Sequence, residues 1–353
     1  MKNLNLPKVI VSIQLIVILG YFTISNISIQ ENEFMSHLWH RMLNLRRTSI
    51  KFQIHQSPRD VVNKTRLEMC PNVVVSNRFA FVTYIGMNSL IQSKVNWYIV
   101  SACKLAQSIL SLSSGSDLIM MLAQDNGFSL DNYHKDMIEW SGWQICNVES
   151  LSSKHKVNNR FHDARIYTKL HIWKMIEYEA VVCVDSDMFA VRDASDLFQS
   201  VWPEMKSQNF TFAMGLDYPR LDSKRSLFHI LIGKCLPSWS EYNGGLFLLK
   251  PSIETYHALI EMMDDNSYDI NMCEQGLLNA YFMNKTFTLP FKYNVNLVTK
   301  VCDPQFYLLE RDSAVFLHFT VAKPWMTSLW VGEYMWTCPW WNLDLECSIW
   351  NQF

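Results

Sequence analysis

The chain has 353 residues, 49% of them hydrophobic, and a formal net charge of -2 made up of 31 basic and 33 acidic residues. That length supports one large or two medium domains around a sizeable buried core, and a single catalytic domain is the simpler reading. A near-neutral, interspersed charge excludes both a basic field that would hold nucleic acid and an acidic tail that would bind a basic partner.

The first feature in chain order is an apolar run from Val9 to Phe22, which residues 23–29 extend to about 20 residues, enough to span a bilayer. Lys2 and Lys8 precede it and Glu31 and Glu33 follow, an asymmetry that keeps the N-terminus in the cytosol. Residues 1–8 therefore read as a cytosolic tail and 9–29 as a transmembrane signal anchor, with a cleaved signal peptide as the alternative. Either sends the remainder into the secretory lumen. The anchor makes a single-pass type II protein of the Golgi or another secretory membrane, with its catalytic domain lumenal. Acceptor sequons for N-glycosylation at Asn63-Lys-Thr65, Asn209-Phe-Thr211 and Asn284-Lys-Thr286 agree with that compartment. The nine cysteines show no CxxC pair and no zinc spacing, so they read as disulfide candidates with one left over. Cys183, inside the apolar run Val181 to Val184, is the expected free thiol. Residues 30–77 are mixed and polar, and read as a stem.

The catalytic domain is expected over 78–353. Phe79 to Tyr84 is a strand-forming run, and helical periodicity follows from Trp97 to Leu110. Asp117 to Leu122 reads as a strand, Asp131 to Trp140 as a helix and Gln144 to Val148 as a strand. Tyr167 to Glu177 then reads as a helix and Ala180 to Val184 as a continuous apolar strand. This alternation predicts an α/β fold, a mostly parallel central sheet with flanking helices.

Such sheets bind ligands beyond the carboxyl ends of their strands. Asp185-Ser-Asp187 stands directly behind Val181 to Val184, so its two carboxylates can share a hard divalent cation. His318, within the apolar segment Ala314 to Phe319, adds an imidazole that tilts the choice to manganese, with magnesium the alternative. A cation there offsets the charge that develops on a departing diphosphate. Lys169 and Lys323 are candidates to hold diphosphate oxygens. In Asn243-Gly-Gly245, just before the strand Leu246 to Leu249, the glycines permit close backbone approach while the amide hydrogen-bonds sugar hydroxyls.

Taken in order, Tyr167-Thr-Lys-Leu-His-Ile-Trp173, Glu177-Tyr178, Asp185-Ser-Asp-Met188 with Asp196-Leu-Phe198, Asn243-Gly-Gly245 through Lys250-Pro-Ser252, Glu274-Gln-Gly-Leu-Leu-Asn279 and His318 to Trp325 resemble glycosyltransferase family 8. The similarity is to its glycogenin-like and plant xylan glucuronyltransferase branches, and it runs from about Ala80 to Trp325. It implies a GT-A type nucleotide-sugar-binding fold, Mn2+ as cofactor, a UDP-sugar donor, a glycan acceptor and retention of anomeric configuration. Carried over, it makes Asp185, Asp187 and His318 the metal ligands, and Arg160, Lys169 and Lys323 contacts to donor phosphate or sugar. Ser186 faces the ribose, Tyr84 lies near the uracil, and Asn243, Gly244, Asn271 and Gln275 complete the donor site. Gln275, Glu274 and Lys169 form the expected catalytic group, and a homodimer is left open.

Glu274-Gln-Gly is one methylene longer than the family's usual Asp-Gln-Gly, and Val321 replaces a glycine between His318 and Lys323. These departures motivate an alternative, a donor-binding relative without turnover. A self-glucosylating primer of the glycogenin type is the other alternative, and Asn271, where glycogenin has an aspartate, argues against it. The tryptophan-rich segment from Trp325 to Trp350 either stacks on an acceptor glycan or packs on the core.

Overall fold

The structure, a computed structural model, describes residues 65–87, 92–113, 115–124, 130–154, 164–218, 241–265 and 267–320. Strands β1 (Thr65–Leu67) and β2 (Cys70–Val75) pair antiparallel, and Leu67, Val73 and Val75 are buried in the main core. Residues 65–75, inside the segment read as stem, thus carry two strands. Alternation in so short a strand is a faint signal, and the tie that holds it is the Cys70–Cys146 disulfide, whose pairing no local pattern reveals.

Strands β3 (Phe79–Met87), β4 (Asp117–Gln124) and β6 (Ala180–Val184) are rich in Val, Ile, Met and Leu and buried almost throughout, as strands covered on both faces must be. With β5 (Gln144–Val148), β8 (Phe212–Leu216), β9 (Tyr242–Leu249) and β10 (Phe287–Leu289) they form a seven-stranded sheet in the order β10-β8-β9-β6-β3-β4-β5. Strand β9 runs antiparallel to β6 and β8 and every other neighbour is parallel. The sheet is therefore mixed. The reversal of β9 has a consequence for chemistry, because it brings the start of β9 to the sheet edge where β6 ends. Trp173 fills the core beneath this region, its ring stacked on Phe247 at 5.7 Å and on Phe282 at 6.1 Å between centroids.

A second sheet of three strands, in the order β11-β12-β7, joins β7 (Met188–Ala190), β11 (Val295–Asn296) and β12 (Phe316–His318). Helices Gln92–Leu112 and Asn132–Ser141 link the parallel strands β3, β4 and β5. The second helix is capped by Asp131, which accepts from the His134 amide, and is closed by Gly142 at φ 110. The helix expected from Tyr167 to Glu177 is a 3-10 helix, Ala164–Lys174. Its three-residue period aligns Tyr167, Leu170 and Trp173 in one buried row.

Cys183 is a buried thiol outside any disulfide, as expected, but so are Cys103 and Cys273, while Cys302 is disulfide-bonded. Parity requires only that an odd number be left over, and more than one stays unbridged because a buried cysteine also serves as a small apolar side chain. Among the described residues no helix is long and apolar enough to cross a membrane, and the apolar segment at 9–29 lies outside them. The sequon at Asn63 and the tryptophan-rich stretch also lie outside. Asn209 and Asn284 are exposed, at φ 61 and 60.

Candidate active site

Asp185 follows the last residue of β6, and its amide donates to the Gly245 carbonyl at 2.8 Å, which extends the β6–β9 ladder by one rung. The chain then turns, with the Met188 amide donating to the Asp185 carbonyl at 3.0 Å, and Asp187 leads into β7. Antiparallel pairing of β7 with β12 sets Met188 opposite His318, and the Phe319 amide donates to the Asp187 carbonyl at 3.1 Å. Two backbone ladders therefore bring a residue some 130 positions away to the Asp185-Ser-Asp187 turn.

His318 Nε2 lies 3.5 Å from Asp187 Oδ1 and 3.9 Å from Asp185 Oδ2, and one ligand atom from each residue lies within 4.8 Å of the others. An octahedral ion holds its ligands at about 2.1 Å, so neighbouring ligands stand roughly 3 to 4 Å apart. The three side chains fit a divalent cation. A Cβ on Gly245 would lie 2.1 Å from His318 Cε1, so only glycine lets the imidazole sit against β9.

From the acids a chain of polar contacts runs outward and returns. Lys169, buried on the 3-10 helix, ion-pairs with Asp185 Oδ1 at 2.6 Å and with Glu274 Oε1 at 2.9 Å. Burial pushes its ammonium towards neutrality, but the charges of Asp185 and Glu274 outweigh this and hold its pKa well above that of free lysine. Glu274 and Gln275 lie on helix Cys273–Tyr281. Gln275 Nε2 donates to Asp217 Oδ2 at 3.2 Å, and Asn243 Nδ2 donates to Asp217 Oδ1 at 3.0 Å. The amides of Gly244 and Gly245 donate to Gln275 Oε1 and Asn243 Oδ1, each at 2.9 Å. Asn294 Nδ2 donates to Asn243 Oδ1 at 2.9 Å, and its Oδ1 meets His318 Nδ1 at 2.8 Å. The contacts thereby reach the imidazole, the two runs being joined through the adjacent positions of Glu274 and Gln275 on one helix. One member has spare capacity, since Glu274 Oε2 is buried with no hydrogen-bond partner.

The network unites seven residues that the sequence singles out: Lys169, Asp185, Asn243, Gly244, Glu274, Gln275 and His318. Asp187 joins it through His318, and Ser186 is buried in the turn between the two acids. Two expected donor contacts stand apart from it. Tyr84 is half-buried on β3, where its hydroxyl donates to the Arg165 carbonyl at 2.9 Å. Asn271 is exposed on the short 3-10 turn Ile270–Met272. Arg160 and Lys323, with Val321, lie outside the described residues.

Asp217 and Asn294 are new members. Asp217 follows the buried run Phe212–Leu216, just as Asp185 follows Ala180–Val184, so the rule that selected one acid could have found the other. Asn294 has no such signal, because it precedes a strand of two residues that owes its form to pairing with β12.

A mixed α/β sheet with paired acids behind a buried strand is the GT-A-like architecture of nucleotide-sugar glycosyltransferases. The solved apo structure of the bifunctional glycosyltransferase WbbM superposes with a TM-score of 0.50 at 16% identity, over 80% of this chain and 52% of that one. The model of Glycosyl transferase family 8 matches residues 90–328, and the chain belongs to this family. Similar curated proteins include glycogenin-1 of Mus musculus, 28% identical over 45% of this chain and 41% of its own length. Another is UDP-glucuronate:xylan alpha-glucuronosyltransferase 1 of Arabidopsis thaliana, 23% identical over 65% of this chain and 30% of its own length. The chain thus spans less than half the length of these two relatives.

Proposed function

We propose that the protein is a retaining, manganese-dependent glycosyltransferase that moves a hexose or hexuronate from a UDP-sugar to a glycan acceptor. The observation that carries this reading is the polar network that joins a three-ligand cation site to the buried side chains of Asn243, Gln275, Glu274 and Asp217. Retention rests on the resemblance to the glycogenin-like enzymes.

Asp185, Asp187 and His318 would hold the ion, which when bound supplies Lewis-acid stabilisation of the diphosphate leaving group. Lys169 keeps a fixed positive charge beside Asp185 in a site poor in water, where such a charge acts strongly on a developing anion. Gly244 and Gly245 leave room for the Gln275 and His318 side chains to sit against β9, and the orphan oxygen of Glu274 is an acceptor for a sugar hydroxyl. Glu274 reaches Lys169 directly, so its additional methylene still places a carboxylate in the site.

The test is incubation of the purified chain with Mn2+ and a panel of UDP-sugars, followed by assay for transfer and for donor hydrolysis. Turnover of at least one donor, abolished by chelation, is expected. Absence of both reactions for every donor, with UDP still bound, would instead favour a binding protein without turnover. The apolar segment at 9–29 and the three sequons support a lumenal, Golgi-anchored catalytic domain. Protein from a eukaryotic secretory host should then lose mass on treatment with an N-glycosidase.

A further inference from the structure

A neutral imidazole can ligate a cation through one nitrogen only if the other carries the proton, and a hydrogen-bond partner on that other nitrogen decides which is which. In this site the choice can be traced to groups whose polarity is fixed. The Gly245 amide can only donate, so the Asn243 atom that it meets at 2.9 Å is the oxygen. The Asp217 carboxylate accepts, so the Asn243 atom that faces it at 3.0 Å is the nitrogen. With Asn243 so oriented, its oxygen faces Asn294, which must present its own amide nitrogen there at 2.9 Å. That leaves Asn294 Oδ1 towards His318 Nδ1 at 2.8 Å, and an amide oxygen only accepts. His318 Nδ1 therefore bears a proton, and in the neutral ring that a metal ligand requires the lone pair is on Nε2, which faces Asp185 and Asp187. Asn294 and His318 are both buried, so water does not offer a substitute partner.

We propose that Asn294 is a positioning residue that locks His318 into the Nδ1-protonated tautomer and so makes it competent to bind the divalent ion. This rests on the metal-dependent reading given above. Asn294 does not touch the cation, and it acts through the imidazole alone.

Mn2+ titration of the purified protein without donor, read by electron paramagnetic resonance, separates the possibilities, with thermal unfolding followed in parallel. Asn294→Leu removes the acceptor and is expected to raise the Mn2+ dissociation constant by roughly ten- to a hundredfold, the scale seen for such outer partners of metal-bound histidines. Asn294→Asp retains an acceptor for Nδ1 while losing the donation to Asn243 Oδ1, and is expected to weaken Mn2+ binding clearly less than Asn294→Leu, a partial rescue that a merely structural role would not give. Equal Mn2+ affinity of wild type and Asn294→Leu overturns the proposal while leaving the metal site intact. Equal weakening by both substitutions also overturns it. If Asn294→Leu fails to fold, Asn294→Ala, which also removes the acceptor, takes its place in the comparison with Asn294→Asp and is read by the same two outcomes. A wild-type protein that takes up no Mn2+ overturns this inference and the metal reading together.

Discussion

Two carboxylates at opposite ends of the central sheet, Asp117 buried and Asp185 half-buried, invite comparison. Asp117 opens β4, and its oxygens accept from the amides of Ser76 and Asn77 at 2.7 and 3.1 Å, from Asn77 Nδ2 at 2.6 Å and from the Tyr178 hydroxyl at 2.9 Å. Every one of these donors is protein, and the cluster pins the entry to β3 against β4. Asp185 closes β6 and shares its neighbourhood with Asp187, Glu274 and a single buried lysine. Among the described residues, three carboxylates around one ammonium leave an excess of negative charge and one orphan oxygen, an arrangement that favours a cation from outside. A buried acid whose bonds are met internally reads as architecture, and one left short of positive charge reads as a site.

The sharpest way to break this contrast is to remove one acid from each end. Asp187→Ala should lower metal-dependent turnover roughly a thousandfold, the scale of a lost metal ligand, with the melting temperature nearly unchanged. Asp117→Ala should do the reverse. It strands three buried or half-buried donor groups and should cost about 3 kcal/mol of stability by urea unfolding, while activity per folded molecule stays within about twofold. If Asp187→Ala unfolds the protein while Asp117→Ala abolishes turnover, the assignment of roles is wrong.

A smaller effect comes from the surface. Burial tends to raise the pKa of Glu179, but hydrogen bonds from Lys206, Trp202 and Arg78 prevail and lower it to about 2. A depressed folded-state value means that its contribution is complete above the ordinary carboxylate pKa near 4.5 and fades as pH falls towards 2. With the side chain partly exposed and screened, the effect should be below about 1 kcal/mol. The urea midpoints of wild type and Glu179→Gln should converge between pH 5 and pH 2.5, and a constant gap would reject the assignment.

How much of this was legible depended on whether a residue's placement was local or came from pairing. Asp185 and Asp187 stand behind an unbroken apolar strand, so their place at a sheet edge could be read directly. His318 was recognisable by its type and by the family pattern, but the force that delivers it is the antiparallel β7–β12 ladder, which no window of sequence displays. The reversal of β9 within an otherwise parallel sheet was likewise hidden, since a covered strand has the same apolar run in either direction. Asn294 was invisible because its role exists only through partners at 243 and 318.

The central claim is that two acids and an imidazole from distant segments grip one divalent ion. The most direct measurement is a crystal of the protein grown with Mn2+ and UDP, examined by anomalous scattering at the manganese edge. The account predicts one strong peak within coordination distance of Asp185, Asp187 and His318. Full-occupancy manganese bound elsewhere, with these three side chains turned from one another, would contradict it.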